Sequence, residues 1–251
     1  MTKIFSGKVV LITGGAGAIG SKMAQAFAQA GAKVVIASRS MAKLEQVAKE
    51  IEAEGNFCLP ISCDATDPEQ VDRLIDKTVT ELGQLDILVN NAGGARFVKP
   101  PQELSPDEWR EGMALNLDSV FFCSVAAGKH MIERGGGRII NMASVAGIKY
   151  APAFAHYGAA KAGVINLTKS LALSWGSHNI NVNCIAPGLT ATDGTAKWLP
   201  EKNRADGTPV PPLKYPPDPD NVADIALFLA SDAAARISGE MFTIRALTEL
   251  S

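Results

Sequence analysis

Short apolar runs recur along the chain, separated by segments in which apolar residues return every three or four positions. Each run is apolar on both faces, which is typical of strands in a parallel sheet, and the intervening periodicity predicts helices that cover that sheet. The predicted strands occupy residues 8–13, 32–37, 57–62, 86–89, 138–143, 180–185 and 240–244. The pattern therefore predicts an α/β fold, a doubly wound parallel sheet of about seven strands with helices on both faces.

Local capping patterns mark where the predicted helices begin and end. An acid or hydroxyl directly before a proline is a typical helix start, because its side chain accepts N–H groups of the first turn. Such starts are predicted at Asp67, Ser105 and Asp218. A glycine after the last helical residue is a typical stop, because glycine adopts the left-handed conformation easily. The predicted stops are Gly31, Gly55 and Gly83.

Composition and charge limit the classes of partner that this chain is expected to bind. The 251 residues are 47% hydrophobic and carry a net charge of −2 without a block of like charges, which argues against nucleic acid and against an acidic membrane surface. We expect a single domain over residues 1–251, with small-molecule substrates and with copies of the chain as partners in a homotetramer or homodimer.

Targeting and metal signals are missing from the sequence pattern. The N-terminus shows no secretory-signal pattern, and no run approaches the roughly 18 apolar residues that a membrane-spanning helix needs. We therefore expect no membrane contact and a cytoplasmic location. The four cysteines show no metal-ligand spacing, so no metal site is expected.

A glycine-rich turn links the first predicted strand to the first helix. Residues 13–20 read TGGAGAIG and are followed by the apolar helix SKMAQAFAQAG. Glycines at such a turn let the backbone approach a pyrophosphate, and the helix N-terminus offers free N–H groups to it. We expect nucleotide binding at this turn.

The end of the second predicted strand indicates which nucleotide is bound. An NAD-binding site usually places an acidic residue there, against the ribose 2′-hydroxyl. This chain has Ser38 and Arg39 instead. Arginine pairs with a 2′-phosphate, which an acidic residue would repel. The sequence therefore predicts NADP(H) in preference to NAD(H).

Tyr157 and Lys161 carry the candidate proton chemistry. Their spacing of four residues places both side chains on one face of a predicted helix. A neighbouring ammonium favours the phenolate, so the pair is predicted to exchange a proton nearer neutral pH than free tyrosine does. Ser144 ends the predicted strand before this helix, where a hydroxyl can polarise a carbonyl.

Six motifs together resemble the short-chain dehydrogenase/reductase family, in its compact single-domain branch that is similar to 3-oxoacyl-carrier-protein reductases. The resemblance covers nearly the whole chain and implies a Rossmann-type fold. It also implies an NADP(H)-dependent oxidoreductase that interconverts a carbonyl and a secondary alcohol. The motifs are TGGAGAIG, NNAG at 90–93, Asn116 in ALNLDSVFF, Ser144, YGAAK at 157–161 and PGLTAT at 187–192.

The resemblance also implies roles for four residues. Tyr157 would be the general acid for carbonyl reduction and the base for the reverse reaction. Lys161 would lower its pKa and hold the nicotinamide ribose, and Ser144 would hydrogen-bond the substrate oxygen. Asn116 would kink its helix and anchor a water that links Lys161 to solvent.

Cofactor and substrate positions follow from the same resemblance. The implied cofactor-binding residues are Gly14, Gly17, Ala18, Ile19, Gly20, Ser38, Arg39, Asp64, Ala65, Asn91, Ala92, Gly93, Tyr157, Lys161, Pro187, Gly188, Thr190 and Thr192. A Pro- and Gly-rich loop over about 189–218 is expected to cover the substrate. The expected substrate-lining residues are Gly94, Ala95, Arg96, Tyr150, Leu189 and Trp198. Arg96 would favour an anionic or acyl-thioester-bearing substrate.

Two departures from the family pattern and two alternative functions remain. Ala18 replaces the middle glycine of the phosphate turn, and its methyl group is expected to crowd the pyrophosphate. The C-terminal TIRALTELS replaces an Asp-Gly-Gly-like turn, which leaves the usual tetramer contact open. The alternatives are an enoyl-thioester (C=C) reductase and a non-catalytic NADP(H)-binding regulator.

Overall fold

The computed structural model describes residues 3–247, and the fold has one seven-stranded parallel sheet. The strands are β1 (Val9–Thr13), β2 (Lys33–Ser38), β3 (Cys58–Ser62), β4 (Ile87–Asn90), β5 (Gly137–Met142), β6 (Ile180–Pro187) and β7 (Met241–Ile244). The α-helices within residues 3–247 are α1 (Ala18–Gln29), α2 (Met41–Ala53), α3 (Pro68–Leu82), α4 (Pro106–Met113), α5 (Ser119–Arg134), α6 (Ala155–Trp175) and α7 (Pro219–Ala230). The predicted fold class is confirmed.

The observed strands match the predicted runs, with one extension at the site. β6 continues to Pro187, two residues beyond the predicted end, because Pro187 and Ile244 still pair across β6 and β7. The Gly188 N–H then donates to the Ile244 carbonyl at 2.8 Å. The extension fixes where the loop beginning at Leu189 leaves the sheet.

Helix ends follow the capping patterns. The Asp67 carboxylate accepts the N–H groups of Glu69 and Gln70, and Ser105 and Glu108 form a reciprocal capping box. The three glycines predicted as stops adopt positive φ, at +95° for Gly31, +79° for Gly55 and +80° for Gly83. These predictions are confirmed.

Each face of the sheet has its own core. Successive residues of a strand point to opposite faces. Val10 and Ile12 of β1 therefore pack with α1, α2 and α7, whereas Leu11 packs with α3, α5 and α6. Within residues 3–247, no helix combines the length and hydropathy that crossing a bilayer requires.

The strand order places a crevice at the carboxyl end of the sheet. The order is β3-β2-β1-β4-β5-β6-β7, so the chain winds outward in opposite directions from β1 and β4. Ligands bind at this switch point in open α/β sheets. Thr13, at the end of β1, is in register with Ala37 of β2 and Asn90 of β4. The glycine turn, Ser38 and the segment after Asn90 therefore meet at one edge.

Candidate active site

Thr13 and Asn91 join the two strands at the switch point. The Thr13 hydroxyl accepts the backbone N–H groups of Asn91 and Ala92, both at 3.1 Å. The Asn91 amide donates to the carbonyls of Thr13 and Gly14, also at 3.1 Å. Sequence reasoning missed Thr13, although a hydroxyl at a strand end directly before the glycine turn was an available signal.

The glycine turn is closed by contacts that exclude side chains. Gly14 has φ of +66°, and its carbonyl accepts the Gly17 N–H at 3.0 Å. A Cβ on Gly20 would lie 2.3 Å from the Gly14 carbonyl oxygen, a distance that real Cβ atoms do not reach. Ala18, the first residue of α1, is exposed. Its expected crowding of a pyrophosphate stays a prediction.

A cleft runs from this turn along the ends of β2, β3 and β4. Its lining contains both predicted nucleotide-selecting residues, Ser38 and Arg39, and four residues that sequence reasoning missed, Thr13, Ala37, Cys63 and Leu115. The remaining lining residues were all predicted: Gly14, Asp64, Ala65, Ala92, Gly93, Gly94 and Arg96. Five predicted cofactor residues at the glycine turn lie outside this lining. The glycine turn contains Gly17, Ala18, Ile19 and Gly20, and the Asn91 amide is hydrogen-bonded to Thr13 and Gly14 at the start of that turn.

The polar side chains at the far end of the cleft differ in whether they have hydrogen-bond partners. The Ser38 hydroxyl oxygen is buried and has no hydrogen-bond partner among residues 3–247. Buried polar groups without a partner are uncommon and call for an explanation such as a ligand or water. The Asp64 carboxylate instead accepts the N–H of Thr66 at 3.0 Å and its hydroxyl at 2.8 Å, which shapes the turn beside Ala65.

Tyr157 and Lys161 face each other on α6, as their spacing predicts. The Lys161 Nζ lies 5.6 Å from the centre of the Tyr157 ring and donates to the Met142 carbonyl at 2.7 Å. Complete burial lowers the pKa of Lys161 to about 8, because desolvation penalises the ammonium. This lysine is therefore able to hold or release a proton near neutral pH.

The electrostatics of Tyr157 differ from the prediction. Burial raises the pKa of Tyr157, and the hydrogen bond with Ser144 opposes that rise only in part. The sequence predicted a pKa lowered by Lys161. That prediction is wrong for this structure, because residue spacing reveals which groups are neighbours but not how deeply the phenol is buried.

Ser144 connects the ends of β5 and β6. Its hydroxyl donates to the Pro187 carbonyl at 3.4 Å and accepts the Ala146 N–H at 3.2 Å. The residue is 9% exposed, so the hydroxyl lies at the border between the core and the site. From here it reaches the Tyr157 phenol.

Asn116 lies in a π turn, Ala114–Asp118, between α4 and α5. Its side chain is fully buried and makes three hydrogen bonds. The amide donates to the carbonyls of Gly94 at 3.1 Å and Gly112 at 3.0 Å, and its oxygen accepts the Gly94 N–H at 2.8 Å. The π turn is an irregularity between two α-helices, and the kink expected at Asn116 stays a prediction.

Gly93 brings Asn116 and Lys161 to one place. A Cβ on Gly93 would lie 2.8 Å from the Asn116 Oδ1 and 3.2 Å from the Lys161 Nζ. The backbone at Gly93 therefore lies directly against both side chains. Asn116, Ser144, Tyr157 and Lys161 thus converge on the end of the cleft that Gly93 and Gly94 line.

The segment after β6 is tied into a compact loop. The Ala191 N–H donates to the Pro217 carbonyl at 2.8 Å and closes its base. The Thr195 hydroxyl donates to the Thr190 carbonyl at 2.5 Å and accepts the Thr192 N–H at 3.0 Å. Pro187, Gly188, Thr190 and Thr192 do not line the cleft itself; Pro187 meets it through Ser144.

The predicted substrate residues fall into two groups. Gly94 and Arg96 line the cleft, whereas Ala95, Tyr150, Leu189 and Trp198 lie outside its lining. The Arg96 guanidinium forms an ion pair with Glu111, which offsets the positive charge expected to attract an anion. The Lys197 Nζ lies 4.4 Å from the centre of the Trp198 ring, a cation–π contact at the loop surface.

All four cysteines are free and buried, and burial raises the pKa of Cys58 to about 12. No group of three or more His, Cys, Asp or Glu residues within residues 3–247 is placed to hold a metal ion. The C-terminal segment that departs from the family pattern spans residues 243–251, and its last four residues, 248–251, lie outside the described residues.

Comparison with known proteins identifies the family. The model of the short chain dehydrogenase family matches residues 8–203. The chain belongs to the short-chain dehydrogenases. This dehydrogenase is 38% identical to D-threitol dehydrogenase of Mycolicibacterium smegmatis over 234 residues, which are 93% of this chain and 89% of the relative. It is 37% identical to 3-oxoacyl-[acyl-carrier-protein] reductase FabG of Thermotoga maritima, over 95% of this chain and 96% of that one.

Solved structures agree with this placement. NAD+-bound xylitol dehydrogenase superposes with a TM-score of 0.88 at 29% identity, over 97% of this chain and 99% of the other. The resemblance read from the six motifs is confirmed. The short-chain dehydrogenase is therefore an oxidoreductase that acts on alcohols and carbonyls, in a family that binds a nicotinamide cofactor.

Proposed function

We propose that this short-chain dehydrogenase uses NADP(H) to interconvert a carbonyl and a secondary alcohol, with Tyr157 as general acid and base. One observation carries the proposal. Tyr157, Lys161, Ser144 and Asn116 converge at one end of a cleft, and Ser38 and Arg39 line the other end.

The cleft residues fit a nicotinamide dinucleotide. The turn leaves no room for a Cβ at Gly14, Gly15 or Gly20 and presents the N-terminus of α1, as a pyrophosphate cradle requires. Asp64 and Ala65 would hold the adenine side, and Asn91, Ala92, Gly93 and Lys161 the nicotinamide ribose. Pro187, Gly188, Thr190 and Thr192 would meet the carboxamide. When bound, the cofactor supplies the hydride chemistry.

The side chains around Gly93 handle the proton. Ser144 would hydrogen-bond the substrate oxygen and hold it against the Tyr157 phenol, which gives its proton to that oxygen in reduction and takes it back in oxidation. Lys161, with its pKa near 8, is placed to hold a proton beside the phenol at neutral pH. Asn116 fixes the backbone at Gly94 and so keeps this end of the cleft in place.

The preference for NADP(H) is supported by Ser38 and Arg39. A buried hydroxyl oxygen without a partner among residues 3–247 stands beside an exposed guanidinium at the end of β2. Both groups donate hydrogen bonds to a phosphate, and neither residue offers the carboxylate that selects a ribose 2′-hydroxyl.

The role of Tyr157 is tested by Tyr157→Phe. NADPH oxidation is followed over a panel of ketones, diketones and acyl thioesters, and NADPH binding is titrated by its fluorescence. We expect the variant to lose turnover of every substrate while its NADPH affinity is retained. Ser170→Ala removes an exposed hydroxyl towards the opposite end of α6 from Tyr157, and it should keep wild-type kcat. Turnover by Tyr157→Phe would remove the phenol from this role.

The cofactor preference is tested by Arg39→Asp. Hydrogen bonds between charged groups contribute about 1.5–3 kcal/mol, so we expect kcat/KM with NADPH to fall about tenfold to a hundredfold. The value with NADH should stay or rise. Arg236→Asp, a charge reversal at an exposed arginine near the base of β7, is the matched control. Equal use of both cofactors by the wild type would contradict the proposal.

A further inference from the structure

A chain of hydrogen-bonded polar side chains crosses the core between the sheet and the helices α5 and α6. The Asn90 amide, at the end of β4, donates to the Ser124 hydroxyl on α5 and to the Asn141 Oδ1 on β5, both at 2.8 Å. The Asn141 amide donates to the Thr168 hydroxyl on α6 at 2.9 Å. None of these four side chains is more than 2% exposed. The chain therefore links β4 and β5 to the helix that carries the proposed proton chemistry.

Packing alone does not account for these buried polar groups. Burying a polar group lowers stability unless its hydrogen bonds are replaced, and the Asn90 Oδ1 has no partner among residues 3–247. Apolar side chains of the same shape can replace a hydrogen-bonded pair with little loss of stability. A polar network also fixes the arrangement of the elements that it joins, because each donor reaches its acceptor in few geometries. Such a network therefore determines where α6 lies against β5.

The Thr168 contact lies two turns from the Lys161 contact, on the same face of α6. Residues seven apart on a helix are separated by nearly two full turns, so both side chains point toward β5. The Lys161 Nζ donates to the carbonyl of Met142, the residue after Asn141 in β5, at 2.7 Å. α6 is therefore held against two consecutive residues of one strand. The Thr168 contact limits how far the helix can slide or rotate before Lys161 loses its acceptor.

We propose that Asn141 and Thr168 are positioning residues that hold the Lys161 ammonium at its carbonyl acceptor on β5. Neither residue lines the cleft, so both act through Lys161 rather than on a ligand. A shift of α6 would lengthen the hydrogen bond from Lys161 and would carry the Tyr157 phenol along with it. This inference rests on the proposed function, because that function has Lys161 hold a proton beside the phenol.

The charge state of Lys161 is sensitive to this acceptor. Two titratable groups face the buried ammonium, Tyr157 on its own helix and Cys184 on β6. Burial raises the pKa of both groups, so neither is negatively charged at neutral pH. The π turn that packs against α6 contributes Asp118, which is exposed. A weaker hydrogen bond to Met142 should therefore disfavour the ammonium and lower the pKa of Lys161 below about 8.

Thr168→Val tests the inference, because it removes the hydroxyl and keeps the size of the side chain. We expect kcat for ketone reduction with NADPH to fall about tenfold to a hundredfold, as small misplacements of catalytic groups cause, and the alkaline limb of its pH profile to move to lower pH. Thr168→Ser restores the hydroxyl and should restore most of kcat. Where Thr168→Val fails to fold because an Asn141 N–H is left unpaired, the double variant with Asn141→Leu replaces the pair by apolar side chains and serves the same comparison.

Thr78→Val is the matched control for the loss of a buried hydroxyl. Thr78 lies on α3, is fully buried, and donates to the Leu74 carbonyl four residues earlier at 2.8 Å. Thr168 makes the same helical contact with Val164, also at 2.8 Å, so the two substitutions differ in the bond with Asn141. Both should lower Tm, but Thr78→Val should keep the wild-type kcat and pH profile.

Titration of Lys161 without turnover separates this inference from the proposed function. The enzyme is labelled with lysine that carries ¹³C at Cε, and the Lys161 signal is assigned with Lys161→Arg. The pKa of Lys161 should be lower in Thr168→Val than in the wild type and unchanged in Thr78→Val, and this result supports the inference even where no ketone is reduced. An unchanged Lys161 pKa in Thr168→Val overturns the positioning role even where Tm falls. Ketone reduction by the wild-type enzyme in that case leaves the proposed function standing.

Discussion

Replacing Asn116 by alanine removes the hydrogen bonds that hold the π turn against the loop after β4. The Asn116 side chain is fully buried, and it binds the N–H and carbonyl of Gly94 and the carbonyl of Gly112 at 2.8–3.1 Å. Alanine leaves one donor and two acceptors without this partner; the contact with Gly112 is buried and the two with Gly94 are part-buried.

The size of the effect follows from these three contacts. Each hydrogen bond contributes about 1 kcal/mol net, and stranding a buried polar group adds a further penalty, so we expect a loss of about 3–5 kcal/mol in the free energy of unfolding. For a chain of this size, 1 kcal/mol shifts Tm by about 2–4 °C. Asn116→Ala should therefore lower Tm by about 6–20 °C.

Urea unfolding followed by circular dichroism measures the change directly. Asn166→Ala is the matched control, because Asn166 is exposed on α6 and a surface substitution changes stability by about 0.5 kcal/mol or less. A loss below about 1 kcal/mol for Asn116→Ala would refute the reasoning.

The contact between α4 and α6 gives two further predictions, both at His156. A Cβ on Gly112 would lie 2.3 Å from the His156 Cδ2, so Gly112→Ala should lower the free energy of unfolding by about 1–3 kcal/mol through overpacking. Adding His156→Ala to this variant should recover part of the loss. If the effects of the two substitutions are fully additive, the contact is contradicted. Burial lowers the pKa of His156, although Glu108 opposes this, and neither ring nitrogen has a partner among residues 3–247. Below about pH 6.5 the unfolded state therefore binds more protons than the folded state, so Tm should fall as the pH falls through that value. The fall should be less steep in His156→Phe. If Tm falls equally steeply with pH in the wild type and this variant, His156 is not the cause.

Much of the architecture was predictable, because burial on both faces leaves a direct imprint on the sequence. Every predicted strand was found within about two residues, and proline after an acid or hydroxyl marked helix starts correctly at Asp67 and Ser105. The spacing of Tyr157 and Lys161 also gave their mutual contact correctly. These features depend on local periodicity and capping, which neighbouring residues determine.

The remainder depended on three-dimensional packing. The rise in the pKa of Tyr157 comes from burial by segments distant in the chain, and the ammonium of Lys161 is directed to the Met142 carbonyl by the sheet behind it. The pairing of Arg96 with Glu111 joins a loop to α4 across fifteen positions. The role of Thr13 required the position of β4, which a strand pattern does not give.

The position of β1 has a consequence for how the chain is made. β1 lies between β2 and β4, and all five of its residues are buried. During synthesis β2 can pair with β1 early, but the other edge of β1 stays bare until residues 87–90 emerge. An open apolar edge is a template for aggregation. Nascent chains that end between β3 and β4 should therefore be the species most dependent on chaperones.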